Sequence, residues 1–249
     1  MSSSQQTILE YLQSYENFVK STTFKPDILK CLFTNAYNHL FAGSILAERG
    51  LITQMHNCLR MGLESEWLGL ILMKDPLLAH QWAFGLGEEE DLKRLVDLER
   101  PKQIRKMLGD RRRITVQDRD EIYSALSDKS HTKLASVSRL FIEPGVPPHM
   151  GNVACIPMGG IKGENNIKRI RQCPIVVVTF ALAEIEDTLD IQILNEEWKW
   201  DGARLTHISE GGFSDGSGKV QPHISSQGHP GTDPIQAIAL LNAIRDGKI

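Results

Sequence analysis

The stretch Thr53-Gln54-Met55-His56-Asn57-Cys58-Leu59-Arg60-Met61-Gly62-Leu63-Glu64-Ser65-Glu66-Trp67-Leu68-Gly69-Leu70-Ile71-Leu72-Met73-Lys74 reads as a single helix. His56, Arg60 and Glu64 follow at four-residue intervals and so share one face, on a segment whose other positions are apolar enough to require burial. A charged stripe on a buried helix needs partners, which makes this face the first candidate site.

The pattern around it is also helical. Ile8, Leu9, Leu12, Phe18 and Val19 outline a first amphipathic helix. A second follows Pro26, where the doublets Ile28-Leu29, Leu32-Phe33, Ala36-Tyr37 and Leu40-Phe41 recur every four residues and stop near Gly50. Asp75-Pro76 ends the third, because proline disfavours the α region for the residue before it. A short helix from Leu77 to Phe84 comes next. The acidic run Glu88-Glu89-Glu90-Asp91 suits a positive helix N-terminus and opens another through Leu98. Pro101 restarts the chain as a first-turn proline through Leu108. A last helical pair is expected over 118–141, interrupted by the polar run Ser127-Asp128-Lys129-Ser130-His131-Thr132.

Residues 143–165 are rich in glycine and proline and form a long insertion; loops of that length inside a compact fold usually serve a function or lack order. After Pro174, Ile175-Val176-Val177-Val178-Thr179-Phe180 has strand composition but continues as Ala181-Leu182-Ala183-Glu184-Ile185-Glu186. One long helix to about Trp200 is the favoured reading, with packing overriding the β-branched run, and a small sheet is the alternative. Residues 209–232 form a Gly/Ser/His-rich linker, and Asp233-Pro234 opens a helix from Ile235 to Ile244, too short to stand alone and expected to dock. The fold class is therefore all-α: a bundle of about seven or eight helices over residues 1–208, followed by a linker and C-terminal docking helix over 209–249.

With 249 residues, 41% hydrophobic and 24% charged, the chain has the composition of a globular protein, and its net charge of −3 gives no global attraction to nucleic acid or an anionic membrane. Cys31, Cys58, Cys155 and Cys173 have no zinc spacing and read as reduced thiols, three of them packed. No uncharged apolar run reaches the roughly 18 residues of a bilayer span, and the N-terminus lacks signal-peptide character, so the expectation is a cytoplasmic protein with no membrane partner. Neither a cofactor nor a metal is expected. Gly212 to Lys219 misses phosphate-loop spacing and has Val220 in place of the Ser or Thr, and His223 and His229 have no carboxylate or thiolate close by. Trp198 and Trp200 are read as packing positions rather than an interface.

Two constellations carry chemistry. In the first, Arg60 and Glu64 meet Asp128 and His131 across the bundle; His131 could then act as general acid or base on a phosphodiester while Arg60 stabilises developing charge. Alternatively, Arg60 and Glu64 form a structural pair and His131 caps a helix break. In the second, residues 100–119 hold eight basic side chains against Asp110 and Asp118, a local charge of +6, with Arg105, Arg111, Arg112 and Arg113 as the candidate nucleic-acid contacts. No aromatic residue interleaves them, so stacking on single strands is not indicated. A solvated, salt-bridged surface is the competing account.

An Arg-x-x-x-Glu on an apolar helix followed by a Ser-Asp-x-x-His segment resembles uncharacterised bacterial all-helical proteins related to the HEPN superfamily. The residues that carry it are Arg60, Glu64, Ser127, Asp128 and His131, within roughly 30–200. The resemblance implies a homodimer that binds RNA and cleaves it without metal. HEPN ribonucleases carry an Arg and a His four to six residues apart, whereas the nearest arginine before His131 is Arg119, and Gly50 breaks the helix between Arg49 and His56. Many HEPN-like members are non-catalytic. Two other readings stay open: a helical interaction module with a polar lock in its core, and a small-ligand binder closed by residues 143–165.

Overall fold

The computed structural model describes residues 3–84, 95–98, 100–130, 170–194 and 200, and among these every secondary-structure element is a helix. The helices are α1 (Ser3–Ser21), α2 (Ile28–Glu48), α3 (Ile52–Lys74), α4 (Pro76–Phe84), α5 (Pro101–Leu108), α6 (Val116–Ser130) and α7 (Gln172–Leu189). The acidic run at 88–91, the insertion at 143–165 and the segment 209–249 lie outside the described residues.

Local chemistry sets several boundaries. Beyond α2, Gly50 adopts φ 67, its N–H donates to the Ala47 carbonyl, and the Leu51 N–H reaches back to Leu46, a closure that favours glycine. The Asp75 carboxylate accepts the Leu78 N–H at 3.0 Å and caps α4, with Pro76 opening it. Thr115 and Asp118 exchange hydrogen bonds at the start of α6 in a capping-box arrangement.

α3 is the centre of the bundle. It packs most extensively on α2 and also on α4, α5, α6 and α7. The α2–α3 pair approaches closely enough that a Cβ on Gly43 would lie 2.7 Å from Leu59, one on Gly62 3.0 Å from Leu40, and one on Gly69 2.9 Å from Phe33. Trp67, Leu59, Leu63, Leu70 and Leu72 are fully enclosed as a result.

α7 resolves the ambiguity after Pro174. It is buried from Cys173 to Glu186 except Ile175, against α1, α2 and α3, and a helix apolar all round is one whose burial outweighs the low helix preference of Val176-Val177-Val178-Thr179. It ends at Leu189, eleven residues before the expected Trp200. The cause is at the terminus: Asp190 takes the left-handed conformation, and the Glu186 carboxylate accepts the N–H groups of both Ile193 and Leu194, which turns the chain off the helix axis. A second correction concerns the start of the interruption expected over 127–132: α6 continues through Ser130, and residues 131–132 lie outside the described residues.

The expected packing roles are partly visible. Trp200 meets Phe180 edge-on at 5.0 Å between ring centres. Cys173 is buried, Cys58 half-buried and Cys31 exposed, all three as free thiols, and Cys155 lies outside the described residues. No described helix is long and apolar enough to cross a membrane.

Candidate functional site

Two residues of the stripe on α3, Arg60 and Glu64, lie toward Tyr123 of α6. His56 is fully buried, while Arg60 and Glu64 sit at the edge of the core with their side chains 19% and 28% exposed and 3.7 Å apart. Arg60 also donates to Asn57 at 3.0 Å. Across the interface, burial first and Glu64 second push the Tyr123 hydroxyl above its ordinary pKa, and Ser127 lies within hydrogen-bonding reach of the same phenol. Glu64 therefore reaches Tyr123 of α6, with Arg60 within electrostatic reach of the same phenol. Asp128 occupies the next position on that helix, but its side chain and the whole of His131 lie outside the described residues.

The four arginines expected to bind nucleic acid divide into two groups. Arg105 is buried: its Nε donates to Asp120 at 2.6 Å and its guanidinium lies 4.0 Å over the Tyr123 ring and 6.0 Å from the Trp67 ring. Arg113 donates to Glu186 at 2.8 Å, and its backbone N–H donates to Asp187 at 2.8 Å. These two cations are committed to internal carboxylates. Arg112, 82% exposed, reaches only to 4.0 Å from Asp187, and Arg111 is half-buried. The stretch is thus a folded loop whose alternate arginines turn inward.

The most enclosed charge pair was not singled out by spacing. Arg119 of α6 and Glu184 of α7 are both fully buried and joined by two hydrogen bonds of 2.9 and 2.6 Å, and Arg119 gives a third, 2.6 Å, to the Gly109 carbonyl. Burial pushes the Glu184 carboxyl above the usual range, and Arg119 pulls against it. The signal in the sequence was a carboxylate inside an otherwise apolar run, Ala181-Leu182-Ala183-Glu184-Ile185, which could not be solvated if that run was buried.

A second missed residue is Glu66, one position before Trp67 and fully buried. Burial drives its carboxyl well above the ordinary range; the hydroxyl of Tyr15 on α1 opposes this, and the charge of Glu184 adds to it. Tyr15 is itself fully buried and its hydroxyl is raised by burial and by Glu66. Burial thus biases the Glu66 carboxyl toward its protonated form.

A raised folded-state pKa means that the folded protein keeps a proton which the unfolded chain has released. Glu66 then supports folding fully below about pH 4, and that support fades as pH rises, by at most about 1.4 kcal/mol per unit. The expected result is that the stability of the parent relative to Glu66→Gln falls between pH 4 and pH 8 in thermal melts. A difference that stays constant over that range would show that Glu66 ionises normally.

Among the described residues, no group of three or more His, Cys, Asp or Glu side chains is arranged to hold a metal ion. No family model, curated protein or solved structure matches the chain. The likeness to HEPN-related proteins therefore stands on Arg60, Glu64, Ser127, Asp128 and His131 alone.

Proposed function

We propose that the chain is a non-catalytic helical interaction module whose core is cross-linked by buried ion pairs. The observation that carries this reading is the Arg119–Glu184 pair, enclosed between α6 and α7, together with the largely buried Arg113–Glu186 pair. Ions so enclosed are costly to desolvate and contribute little net stability, but once in place they fix which helices meet and in what register. The role of polar lock first considered for Arg60, Glu64 and His131 passes to Arg119 and Glu184. An interaction module needs such a lock, because the faces it offers to a partner keep their shape only if the helices beneath do not slide.

A second reading, a HEPN-like RNA-binding homodimer that cleaves without metal, is favoured by one feature. Arg60 and Glu64 sit at the edge of the core, near Tyr123 of the helix whose sequence runs on to Asp128 and His131. Incubating the purified full-length chain with mixed RNA, beside Arg60→Ala and His131→Ala, separates the two. The module reading expects no cleavage by any of the three. Cleavage by the parent that either substitution abolishes would overturn it in favour of the ribonuclease.

A further inference from the structure

From Cys31 to Ala47, α2 has no Asp, Glu, Lys or Arg on any side, although 24% of the chain is charged. Its inward face needs none, because Phe33, Ala36, Leu40, Gly43 and Ala47 are buried. The outward face is the anomaly. Cys31, Thr34, Asn35, Asn38, Phe41 and Ile45 are exposed, and a helix that keeps one side in water normally carries charge there. Phe41 is 39% and Ile45 47% exposed, and the Phe41 ring is set by stacking on Tyr37 at 6.0 Å between ring centres. Along the other half of the helix runs an open groove of about 690 Å³ lined by Asp27, Lys30, Cys31, Thr34, Asn35 and Asn38. The Asn35 amide donates to Ser65 of α3 at 2.8 Å, which fixes that wall of the groove. One end of the face thus offers apolar knobs and the other a recess.

Opposite charges stand at the two ends of the same face. Asp27 and Arg49 both have helical backbone angles and each lies eleven residues from Asn38. That spacing is about three turns, so both share the side of the helix that Asn38 occupies. Both are exposed, and Asp27 makes no capping hydrogen bond. Among the described residues neither forms an ion pair. A two-fold axis at Asn38, with a second α2 running antiparallel, sets Asp27 against Arg49 of the second copy at both ends. The same operation sets Cys31 against Ile45 and Asn35 against Phe41 of the second copy, so that each recess receives the other copy's knobs.

We propose that the outward face of α2 is a homodimer interface, in which two copies of this chain pack antiparallel about a two-fold axis at Asn38. A second copy is the occupant because the face is complementary to itself in both charge and shape, as a two-fold contact requires. Thr34, Asn35 and Ala42, close to the axis, are small enough for the two backbones to approach. Asn38 meets its own counterpart there, where paired amides fix register in the way a single enclosed Asn does between coiled helices. The dimer rests on the interaction-module reading, to which it gives a surface and a partner. That reading stands or falls on RNA cleavage and the dimer on mass, so their failures are distinguishable.

Sedimentation velocity of the full-length chain, over a concentration series reaching hundreds of micromolar, should show a reversible dimer. Ile45→Glu, which drives a carboxylate into the recess, and Asn38→Lys, which brings two ammonium groups together at the axis, should each weaken it by about tenfold or more. Asp27→Arg and Arg49→Asp should each weaken it by about tenfold through facing like charges, and combining them should return the dissociation constant to within about threefold of the parent. Within one copy the two positions lie about 33 Å apart along the helix, so restoration can arise only between copies. Thermal melts confirm that each variant is folded. A parent that stays monomeric throughout would overturn the proposal and leave the face to a different protein. A dimer indifferent to Ile45→Glu and Asn38→Lys, or single reversals that the double reversal fails to restore, would overturn it as well.

Discussion

Replacing Arg119 with methionine is expected to cost about 3–5 kcal/mol of folding stability, a large part of the roughly 5–15 kcal/mol that domains of this size possess. The loss arises from what stays behind. Glu184 would remain fully buried with its two guanidinium bonds gone, and the Gly109 carbonyl would lose its donor as well. The stranded carboxyl escapes the penalty only by taking a proton. Its pKa, already raised by burial, would rise further once Arg119 no longer opposes the shift, so the damage should be smaller at pH 5 than at pH 8. Urea unfolding at the two pH values measures both effects. The double variant Arg119→Met with Glu184→Met should lose much less than the sum of the single losses, because removing both charges together removes the desolvation penalty along with the attraction. A midpoint in Arg119→Met close to that of the parent would mean that water reaches the pair and that it locks nothing.

The second large effect is expected at the α2–α3 contact. Phe33 is fully buried, stacks on Phe24 at 5.2 Å, meets Phe18 edge-on at 5.4 Å and lies directly over Gly69. Phe33→Ala should cost about 3–5 kcal/mol through lost apolar contact and the cavity left between the helices. Gly69→Ala alone should also destabilise: the new methyl would stand 2.9 Å from the Phe33 ring, and overpacking of that kind costs about 1–3 kcal/mol against the roughly 1 kcal/mol that alanine returns in helix preference. Combined, the changes should partly compensate, since the methyl enters the space vacated by the ring. Strict additivity of the two losses in denaturant unfolding would place the ring away from Gly69 in solution.

The helical fold was legible in the residues themselves. The four-residue doublets of α2, the break at Asp75-Pro76, the first-turn proline Pro101 and the glycine stop at Gly50 depend on backbone sterics and local amphipathicity, which act over one or two turns. Reading 175–180 as helix needed more, because Val176-Val177-Val178 fits a strand as well; only enclosure by α1, α2 and α3 decides it. The end of α7 was misplaced for a similar reason. The carboxylate that turns the chain, Glu186, also answers to Arg113, 73 residues away in sequence.

The candidate site shows the same division. Arg60 with Glu64 could be found from the helical repeat, and the abundance of arginine between residues 100 and 119 from composition. That Arg105 and Arg113 would be paired within the fold while Arg112 stays exposed could not, since a run of three adjacent arginines carries no information about which of them finds a carboxylate.

The order of residues by itself determined that this protein is built from helices, where most of them start and stop, and which of their faces are apolar. Tertiary structure alone decided that Arg119 meets Glu184 across 65 residues of sequence and that Glu66 is sealed against Tyr15. The physical reason is range: helix formation is governed by neighbours within a turn or two, whereas the pairing of a buried charge depends on how distant helices are rotated about their axes, which only packing of the whole core fixes.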